Sequence, residues 1–221
     1  MYTVKEIFST LQGEGTHSGR VSVFCRFTGC NLWSGREEDR SSAQCRFCDT
    51  DFVGTDGNLG GKFANADELA NIIEAEWLRM NPSQFNRYAV FTGGEPLLQL
   101  DTALIDALHQ RSFEVAVETN GTIKPPPGID WLCVSPKDGT ELQCLVADEI
   151  KYVVPQHHLE IDKKFILQRL KRFENMSFKN FYIQPMDGLH REQSLELAIS
   201  LCKERPLWRL GIQQHKYINL P

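Results

Sequence analysis

Three cysteines, Cys30, Cys45 and Cys48, are the residues of this sequence best suited to chemistry, and they follow an apolar run at residues 21–27. Three thiolates at the exit of a strand can bind three irons of a [4Fe–4S] cube and leave the fourth iron open to an outside ligand. A Cys-x-x-Cys pair alone fits half a zinc site or a redox dithiol equally well. The pattern therefore indicates chemistry at an open iron, provided that the rest of the sequence supports it.

The elements that must position these cysteines alternate between strands and helices. Asn65, with Glu68 three positions later, predicts the start of one helix. An apolar stripe of Leu195, Ala198, Ile199 and Cys202 predicts a later helix. The predicted strands cover residues 21–27, 90–92, 113–118, 131–135, 149–154, 181–184 and 207–213.

Alternation of this kind favours an α/β fold with a mainly parallel sheet. Because a complete eight-stranded barrel takes about 250 residues, a chain of 221 residues predicts a shortened or partial (β/α) barrel. We expect one domain over residues 1–221, with an insertion at about residues 31–44.

Composition excludes several classes of protein. The formal charge is −5, from 24 basic and 29 acidic residues, so the chain lacks the basic surplus that drives binding to nucleic acid. No apolar run is long enough to span a bilayer, and the first residues do not resemble a secretion signal. We therefore expect a cytoplasmic protein without membrane contact. The seven cysteines favour thiols or metal ligands over disulfides, and we expect four to be core or near-surface thiols: Cys25, Cys133, Cys144 and Cys202.

Short polar motifs follow most of the predicted strands, and the carboxyl ends of parallel strands share one rim where ligands bind. Each motif alone also has an ordinary explanation as a turn, but their coincidence on one rim predicts a site. The motifs are Cys30, Thr92-Gly93-Gly94-Glu95-Pro96, Glu118-Thr119-Asn120-Gly121, Ser135-Pro136-Lys137 and Gln184-Pro185-Met186-Asp187.

These motifs resemble those of the radical S-adenosylmethionine (SAM) enzymes and, within them, the 7-carboxy-7-deazaguanine synthase (QueE) family. The resemblance covers nearly the whole chain. Its first cysteine gap holds fourteen residues, Asn31 to Gln44, where most of the superfamily has three. Long gaps occur in this synthase family, so the departure favours the assignment. The resembling segments are Thr10-Leu11-Gln12-Gly13-Glu14-Gly15, Arg26-Phe27-Thr28-Gly29-Cys30, Cys45-Arg46-Phe47-Cys48-Asp49-Thr50 and His215-Lys216-Tyr217.

The resemblance implies a cofactor site. Cys30, Cys45 and Cys48 would bind the [4Fe–4S] cluster, and SAM would chelate the open iron. Phe47 corresponds to an aromatic residue near the adenine, although core packing also explains it. The residues that the resemblance assigns to cofactor binding are Phe47, Cys48, Asp49, Gly94, Glu95, Ser135, Pro136, Lys137, Gln184, Pro185, Met186 and Asp187.

The resemblance also implies a substrate, 6-carboxy-5,6,7,8-tetrahydropterin. Arg26 can bind its carboxylate as a fork, or pair instead with Glu14 or Glu118. Thr50 resembles the family's Mg²⁺ ligand, with a plain turn as the alternative. The residues assigned to the substrate are Leu11, Gln12, Gly13, Arg26, Thr92 and Pro221, with main-chain groups of residues 11–13 facing the pterin edge.

The implied reaction is a radical ring contraction that yields 7-carboxy-7-deazaguanine and ammonia, as in queuosine biosynthesis. It begins when the reduced cluster cleaves SAM, and the resulting radical takes hydrogen from C6 of the pterin. This first step needs no acid–base residue, so we assign none as catalytic. The resemblance further implies a homodimer and an electron donor such as flavodoxin or ferredoxin.

Two other functions remain open at this point. The cysteines could hold a structural zinc or Fe–S site, closed by His17 or Asp49. The chain could also be a radical SAM activase that acts on a macromolecule, although its acidic balance and the lack of further cysteine motifs argue against that.

Overall fold

The computed structural model describes residues 1–81, 83, 85–156 and 162–221. Its strands form one nine-stranded sheet in the order β3-β1-β2-β4-β5-β6-β7-β8-β9. Pairing is antiparallel between β1 and β2 and between β1 and β3, and parallel from β2 onward. The strands are β1 (Tyr2–Leu11), β2 (Val21–Phe27), β3 (Gly61–Phe63), β4 (Arg87–Gly93), β5 (Phe113–Thr119), β6 (Trp131–Val134), β7 (Val146–Val154), β8 (Ser177–Pro185) and β9 (Arg209–Leu210).

Helices fill only part of the connections between the parallel strands. No helix is present between β5 and β6 or between β6 and β7, two connections that the structure describes throughout. The mainly parallel sheet with helices on one side confirms the partial (β/α) barrel. None of the helices among the described residues has both the length and the apolar character needed to cross a bilayer. The helices are α1 (Ala66–Met80), α2 (Thr102–His109), α3 (Lys163–Glu174), α4 (Arg191–Glu204) and α5 (Gln214–Tyr217).

Helix α1 begins where the sequence predicts. The Asn65 side chain accepts a hydrogen bond from the Glu68 amide at 2.9 Å, and the Glu68 carboxylate accepts one from the Ala64 amide at 2.7 Å. Side-chain caps of this kind satisfy amides that the first helical turn leaves unpaired. The cap therefore fixes the start of α1, which buries Leu69 and Trp77 against the sheet.

Two predictions about elements need correction, and one long strand was missed. The strand predicted at 207–213 is only the two-residue β9. It lies at the edge of the sheet and, among the described strands, pairs with β8 alone, so no second neighbour extends its pairing. On α4 the buried side chains are Ser194, Ala198 and Leu201, whereas Ile199 is 36% exposed. Strand β1 was not predicted at all.

The two faces of the sheet differ in character. Side chains of a strand alternate between faces, and one alternate set packs against the helices in the main apolar core, which includes Cys25, Phe91 and Val117. The opposite face carries a smaller apolar cluster around Tyr88, and Glu118 and Lys151 lie on it at the cavity. A ligand site can form where these charged residues lie.

Candidate functional site

A cavity of about 390 Å³ lies at the carboxyl ends of the parallel strands. It collects most of the residues that the sequence assigns to a site, although these come from distant parts of the chain. The assigned residues that line it are Leu11, Gln12, Gly13, Arg26, Cys30, Cys45, Phe47, Cys48, Asp49, Thr50, Thr92, Gly94, Ser135, Lys137, Gln184 and Pro221.

Five assigned residues do not line this cavity: Glu95, Pro136, Pro185, Met186 and Asp187. The fully buried Glu95 carboxylate accepts hydrogen bonds from the Thr119 hydroxyl at 2.7 Å and the Asn120 amide at 2.8 Å. Burial raises its pKa. Glu95 thereby ties the end of β4 to the end of β5 beneath the cavity wall.

The three cysteines of the cluster motif lie on the cavity wall, and none is in a disulfide. Cys45 is buried, whereas Cys30 and Cys48 are half-buried. A hydrogen bond with the Cys45 thiol lowers the pKa of Cys48 to about 6. The other four cysteines do not line the cavity: Cys25, Cys133 and Cys144 are buried and Cys202 is half-buried, which confirms them as core and near-surface thiols.

The donor set fits an iron–sulfur cluster better than a single metal ion. Among the residues that the structure describes, no three His, Cys, Asp or Glu side chains converge closely enough to hold one ion. Cluster thiolates bind separate irons and need not converge. The two residues considered for closing a zinc site are engaged elsewhere: His17 packs against Trp131 in a tilted arrangement with ring centroids 4.1 Å apart, and Asp49 pairs with Lys216 at 2.5 Å.

Two consecutive glycines let the strand ends meet beside the cysteines. Gly93 has φ +141°, and a side chain there would strike the main chain of Phe27. A Cβ on Gly94 would overlap the Gly29 carbonyl and lie 2.7 Å from Cys30 Cβ. The glycines therefore permit a backbone approach that places Cys30 at the cavity wall.

A lysine and an aromatic ring face each other next to the cysteine loop. Lys137 Nζ donates to the Ser135 carbonyl at 2.7 Å and lies 5.7 Å from the centroid of the Phe47 ring. Phe47 itself is half-buried and lines the cavity, so one side of its ring is available to a ligand. This wall combines a cation, a hydroxyl and an aromatic face.

Lys151 is the central charge of the cavity, and the sequence analysis did not single it out. Its ammonium group pairs with Glu14 and, at 2.9 Å, with Glu118. Burial opposes the charge on Glu14, but Lys151 outweighs it and the pKa of Glu14 falls to about 2. Likewise, the two carboxylates overcome burial and raise the pKa of Lys151 well above its usual value. The available signal was a lysine between the apolar residues Ile150 and Tyr152 of a predicted strand, since a buried charge requires partners.

Two glutamine side chains bind this charged group. Gln12 Nε2 donates to Glu118 at 3.3 Å, and Gln184 Nε2 donates to Glu14 at 3.4 Å. Gln184 Oε1 is buried without a hydrogen-bond partner among the described residues. The main-chain groups of Gln12 are already paired, its amide with Arg20 and its carbonyl with Gly19. At this position the side chain is the group that faces the cavity.

Arg26 and Thr92 lie side by side on neighbouring strands, in register. Arg26 Nε donates to Glu6 at 2.8 Å. Neither Glu14 nor Glu118, the partners considered from the sequence, binds Arg26; both bind Lys151. Because the contact with Glu6 uses Nε, the two terminal nitrogens carry the remaining donors of the guanidinium.

The C-terminal segment forms another wall of the cavity. The Thr10 hydroxyl donates to the Pro221 main-chain oxygen at 3.3 Å. Lys216 Nζ binds Asp49 at 2.5 Å and Asp187 at 2.7 Å, which joins the cysteine loop to the end of β8. His215 also lines the cavity, and burial lowers its pKa.

Comparison with known proteins gives a consistent result along the chain. The chain is 57% identical over 219 residues to the 7-carboxy-7-deazaguanine synthase of Bradyrhizobium diazoefficiens, covering 99% of both chains. It is 53% identical over 220 residues to the enzyme of the same name from Caulobacter vibrioides, covering 100% of this chain and 99% of the relative. No family model matches.

A solved structure shares the fold. It is the crystal structure of QueE from Escherichia coli, which superimposes with a TM-score of 0.70 at 26% identity. The match covers 97% of this chain and 94% of the other.

Proposed function

The chain belongs to the 7-carboxy-7-deazaguanine synthase family, and on that premise we propose that it converts 6-carboxy-5,6,7,8-tetrahydropterin to 7-carboxy-7-deazaguanine and ammonia. It is a radical SAM lyase of 7-deazapurine (queuosine-type) biosynthesis. The observation that carries the proposal is the presence of three unpaired thiols on the wall of a cavity that also holds Arg26 and Lys151.

Cys30, Cys45 and Cys48 would hold the [4Fe–4S] cluster. When bound, the cluster and SAM supply the organic radical that starts the ring contraction. The low pKa of Cys48 favours the thiolate that iron requires. The half-buried positions of Cys30 and Cys48 keep this group near the mouth of the cavity.

We propose that SAM lies along the wall between the cysteines and the ends of β6 and β8. The glycine pair at the end of β4 lines the cavity, where its main-chain groups can bind the methionyl group, and Phe47 offers a face to the adenine. Gln184 lines the same cavity and belongs to the proposed cofactor site. Around these groups, Asp49, Gly94, Glu95, Ser135, Pro136, Lys137, Pro185, Met186 and Asp187 complete the proposed cofactor site.

The pterin would occupy the opposite side, between β1, Arg26 and the C-terminal segment. The terminal nitrogens of Arg26 can bind the substrate carboxylate as a fork. Lys151, Glu14 and Glu118 provide both donors and acceptors at the base of the cavity, as the polar edge of a pterin requires. Leu11, Gln12, Gly13, Thr92 and Pro221 complete the proposed substrate site.

We propose Thr50 as a ligand of Mg²⁺. The residue lines the cavity two positions after Cys48, and its hydroxyl is the kind of oxygen ligand that Mg²⁺ accepts. Mg²⁺ usually keeps several waters and needs few protein ligands. One hydroxyl and the substrate carboxylate would therefore suffice to hold the ion between protein and substrate.

The remaining proposals concern the whole protein. One domain over residues 1–221, with the insertion at 31–44, is supported by a single sheet whose main core runs from Tyr2 to Trp208. A cytoplasmic location suits seven unpaired cysteines. A homodimer and a flavodoxin or ferredoxin donor follow from the family alone.

The experiment is anaerobic turnover with SAM, reductant, Mg²⁺ and the pterin, followed by mass spectrometry for 7-carboxy-7-deazaguanine. We expect product from the wild type and from Cys202→Ala, whose cysteine lies outside the cavity. Cys45→Ala should lose both cluster iron and product. A Cys45→Ala protein that retains wild-type iron would overturn the ligand assignment.

A further inference from the structure

The Arg40 side chain joins the fourteen-residue insertion to the cysteine loop, in addition to hydrogen bonds from the Cys45 amide to the Leu32 carbonyl and from Arg46 Nε to the Ala43 carbonyl, both at 3.3 Å. Arg40 Nη1 donates to the main-chain oxygens of Arg46 at 2.9 Å and Cys48 at 3.0 Å. Both oxygens belong to the turn that carries Cys45 and Cys48. A single guanidinium thus braces the turn from outside the cavity.

The insertion in turn holds Arg40 in place. Glu37 binds the other edge of the guanidinium, with Nε to Oε2 at 2.7 Å. The guanidinium carbon lies 4.1 Å from the centroid of the Trp33 ring, which is only 7% exposed. Trp33 packs edge-on against Phe52 at 5.6 Å and donates to the Arg36 carbonyl at 3.1 Å. Trp33 is therefore a buried anchor of the insertion.

We infer that Arg40 is a positioning residue for the cluster: it fixes the Cys45–Cys48 turn before the cluster binds, and its positive charge then favours the reduced cluster. The inference rests on the proposed function, because it concerns the same three thiols. Groups that orient the ligands of a metal centre contribute strongly to its retention. Net charge and hydrogen bonding near an iron–sulfur cluster also set its potential.

The geometry requires arginine at this position. Its planar group presents five donors, so it can bind two carbonyls on one side and a carboxylate on the other. Lysine would keep the charge but lacks the planar fork. The two substitutions Arg40→Lys and Arg40→Gln therefore separate charge from hydrogen bonding.

The first test compares Arg40→Gln with Arg36→Gln, a neighbouring arginine of the insertion whose side chain is 70% exposed and pairs with Glu38 at 3.8 Å. In the cluster-free protein, hydrogen exchange of peptides covering residues 45–48 should accelerate in Arg40→Gln only. After reconstitution, Arg40→Gln should lose iron to a chelator about 10-fold faster than the wild type. The midpoint potential of the cluster in Arg40→Gln should be more negative than in the wild type, whereas the potential in Arg36→Gln should equal that of the wild type.

Two further variants check the sign and the mechanism. Glu37→Gln removes a negative charge, so its midpoint potential should move in the positive direction. Arg40→Lys should keep a potential near that of the wild type while losing iron faster. The inference is overturned if Arg40→Gln matches Arg36→Gln in exchange and potential, or if Glu37→Gln shifts the potential negatively. A wild-type protein that takes up no cluster would contradict the proposed function instead.

Discussion

At the scale of single residues, Lys151 determines the charge balance of the cavity. Lys151→Met would leave Glu14 and Glu118 buried without a cation, and breaking a buried pair in this way costs about 3–5 kcal/mol. We expect that loss in the free energy of unfolding at neutral pH, measured by urea denaturation. Lys179→Met is the matched control, because Lys179 pairs with Asp148 at 2.7 Å but is 73% exposed. Its expected cost is about 0–1 kcal/mol.

The ion pair between Lys151 and Glu14 predicts that the stability of the protein depends on pH. The pKa of Glu14 falls from its ordinary 4.5 to about 2 in the folded protein. The ionised Glu14 therefore stabilises the fold fully at a pH above 4.5, its ordinary pKa. This stabilisation is lost as the pH falls through about 2, its pKa in the folded protein. The stability difference between wild type and Lys151→Met should narrow across this interval. A difference that stays constant on acidification would contradict the pairing.

Sequence reasoning reached some of these residues and missed others for physical reasons. The cluster cysteines and Arg26 are visible because their types and spacing are unusual. The partner of Arg26 is not visible, because Glu6 comes opposite it only through the β1–β2 register. The importance of Lys151 likewise depends on Glu14 and Glu118, which are distant in sequence.

At the scale of elements, the contact between the ends of β2 and β4 positions the cluster loop. Gly94→Ala would force a methyl group against the Gly29 carbonyl and Cys30. Overpacking of this kind costs about 1–3 kcal/mol, and we expect lower iron content as well as lower stability. Gly61→Ala is the control, because the added methyl group would lie 3.7 Å from its nearest neighbour. Its free energy of unfolding should change by about 0.5 kcal/mol or less. Equal iron content in both variants would refute the role given to this contact.

Helix α5 connects two elements that would bind SAM. Lys216→Met removes its ion pairs with Asp49 and Asp187. These pairs are partly exposed, so each is worth about 1 kcal/mol or less, and the SAM dissociation constant should rise about 3- to 10-fold. Equilibrium dialysis of the cluster-loaded protein measures this directly. Lys203→Met is the control, because Lys203 is exposed on α4. If it weakened SAM binding as much as Lys216→Met does, the proposed contribution of α5 to SAM binding would be wrong.

The sequence predicts elements well where local chemistry determines them. Asn65 and Glu68 mark the start of α1 because the cap is a local interaction. Strand β1 escaped prediction, since its burial comes from β2 and β3, which flank it only in the folded sheet. The sequence also did not predict that the fully described connections after β5 and β6 lack helices. Their residues Asn120, Ser135 and Lys137 form part of the cavity wall instead.

At the scale of the whole molecule, the incomplete barrel leaves a cavity of about 390 Å³ that distant segments close. Residues of β1, the cysteine loop and the C-terminal segment meet around it, although they span the chain from Glu6 to Pro221. The partial barrel was predictable from length and alternation. The closure was not, because it depends on long-range pairs such as Lys216 with Asp49.

The most direct test of the account is the number of product molecules formed per SAM. The resemblance to the synthase family implies that SAM is reformed at each turnover. Each molecule of limiting SAM should therefore yield several molecules of 7-carboxy-7-deazaguanine. Reconstituted protein, limiting SAM and excess pterin would be incubated anaerobically, with product and methionine quantified together. Consumption of SAM to methionine without product, from protein with a verified reducible cluster, would contradict the account.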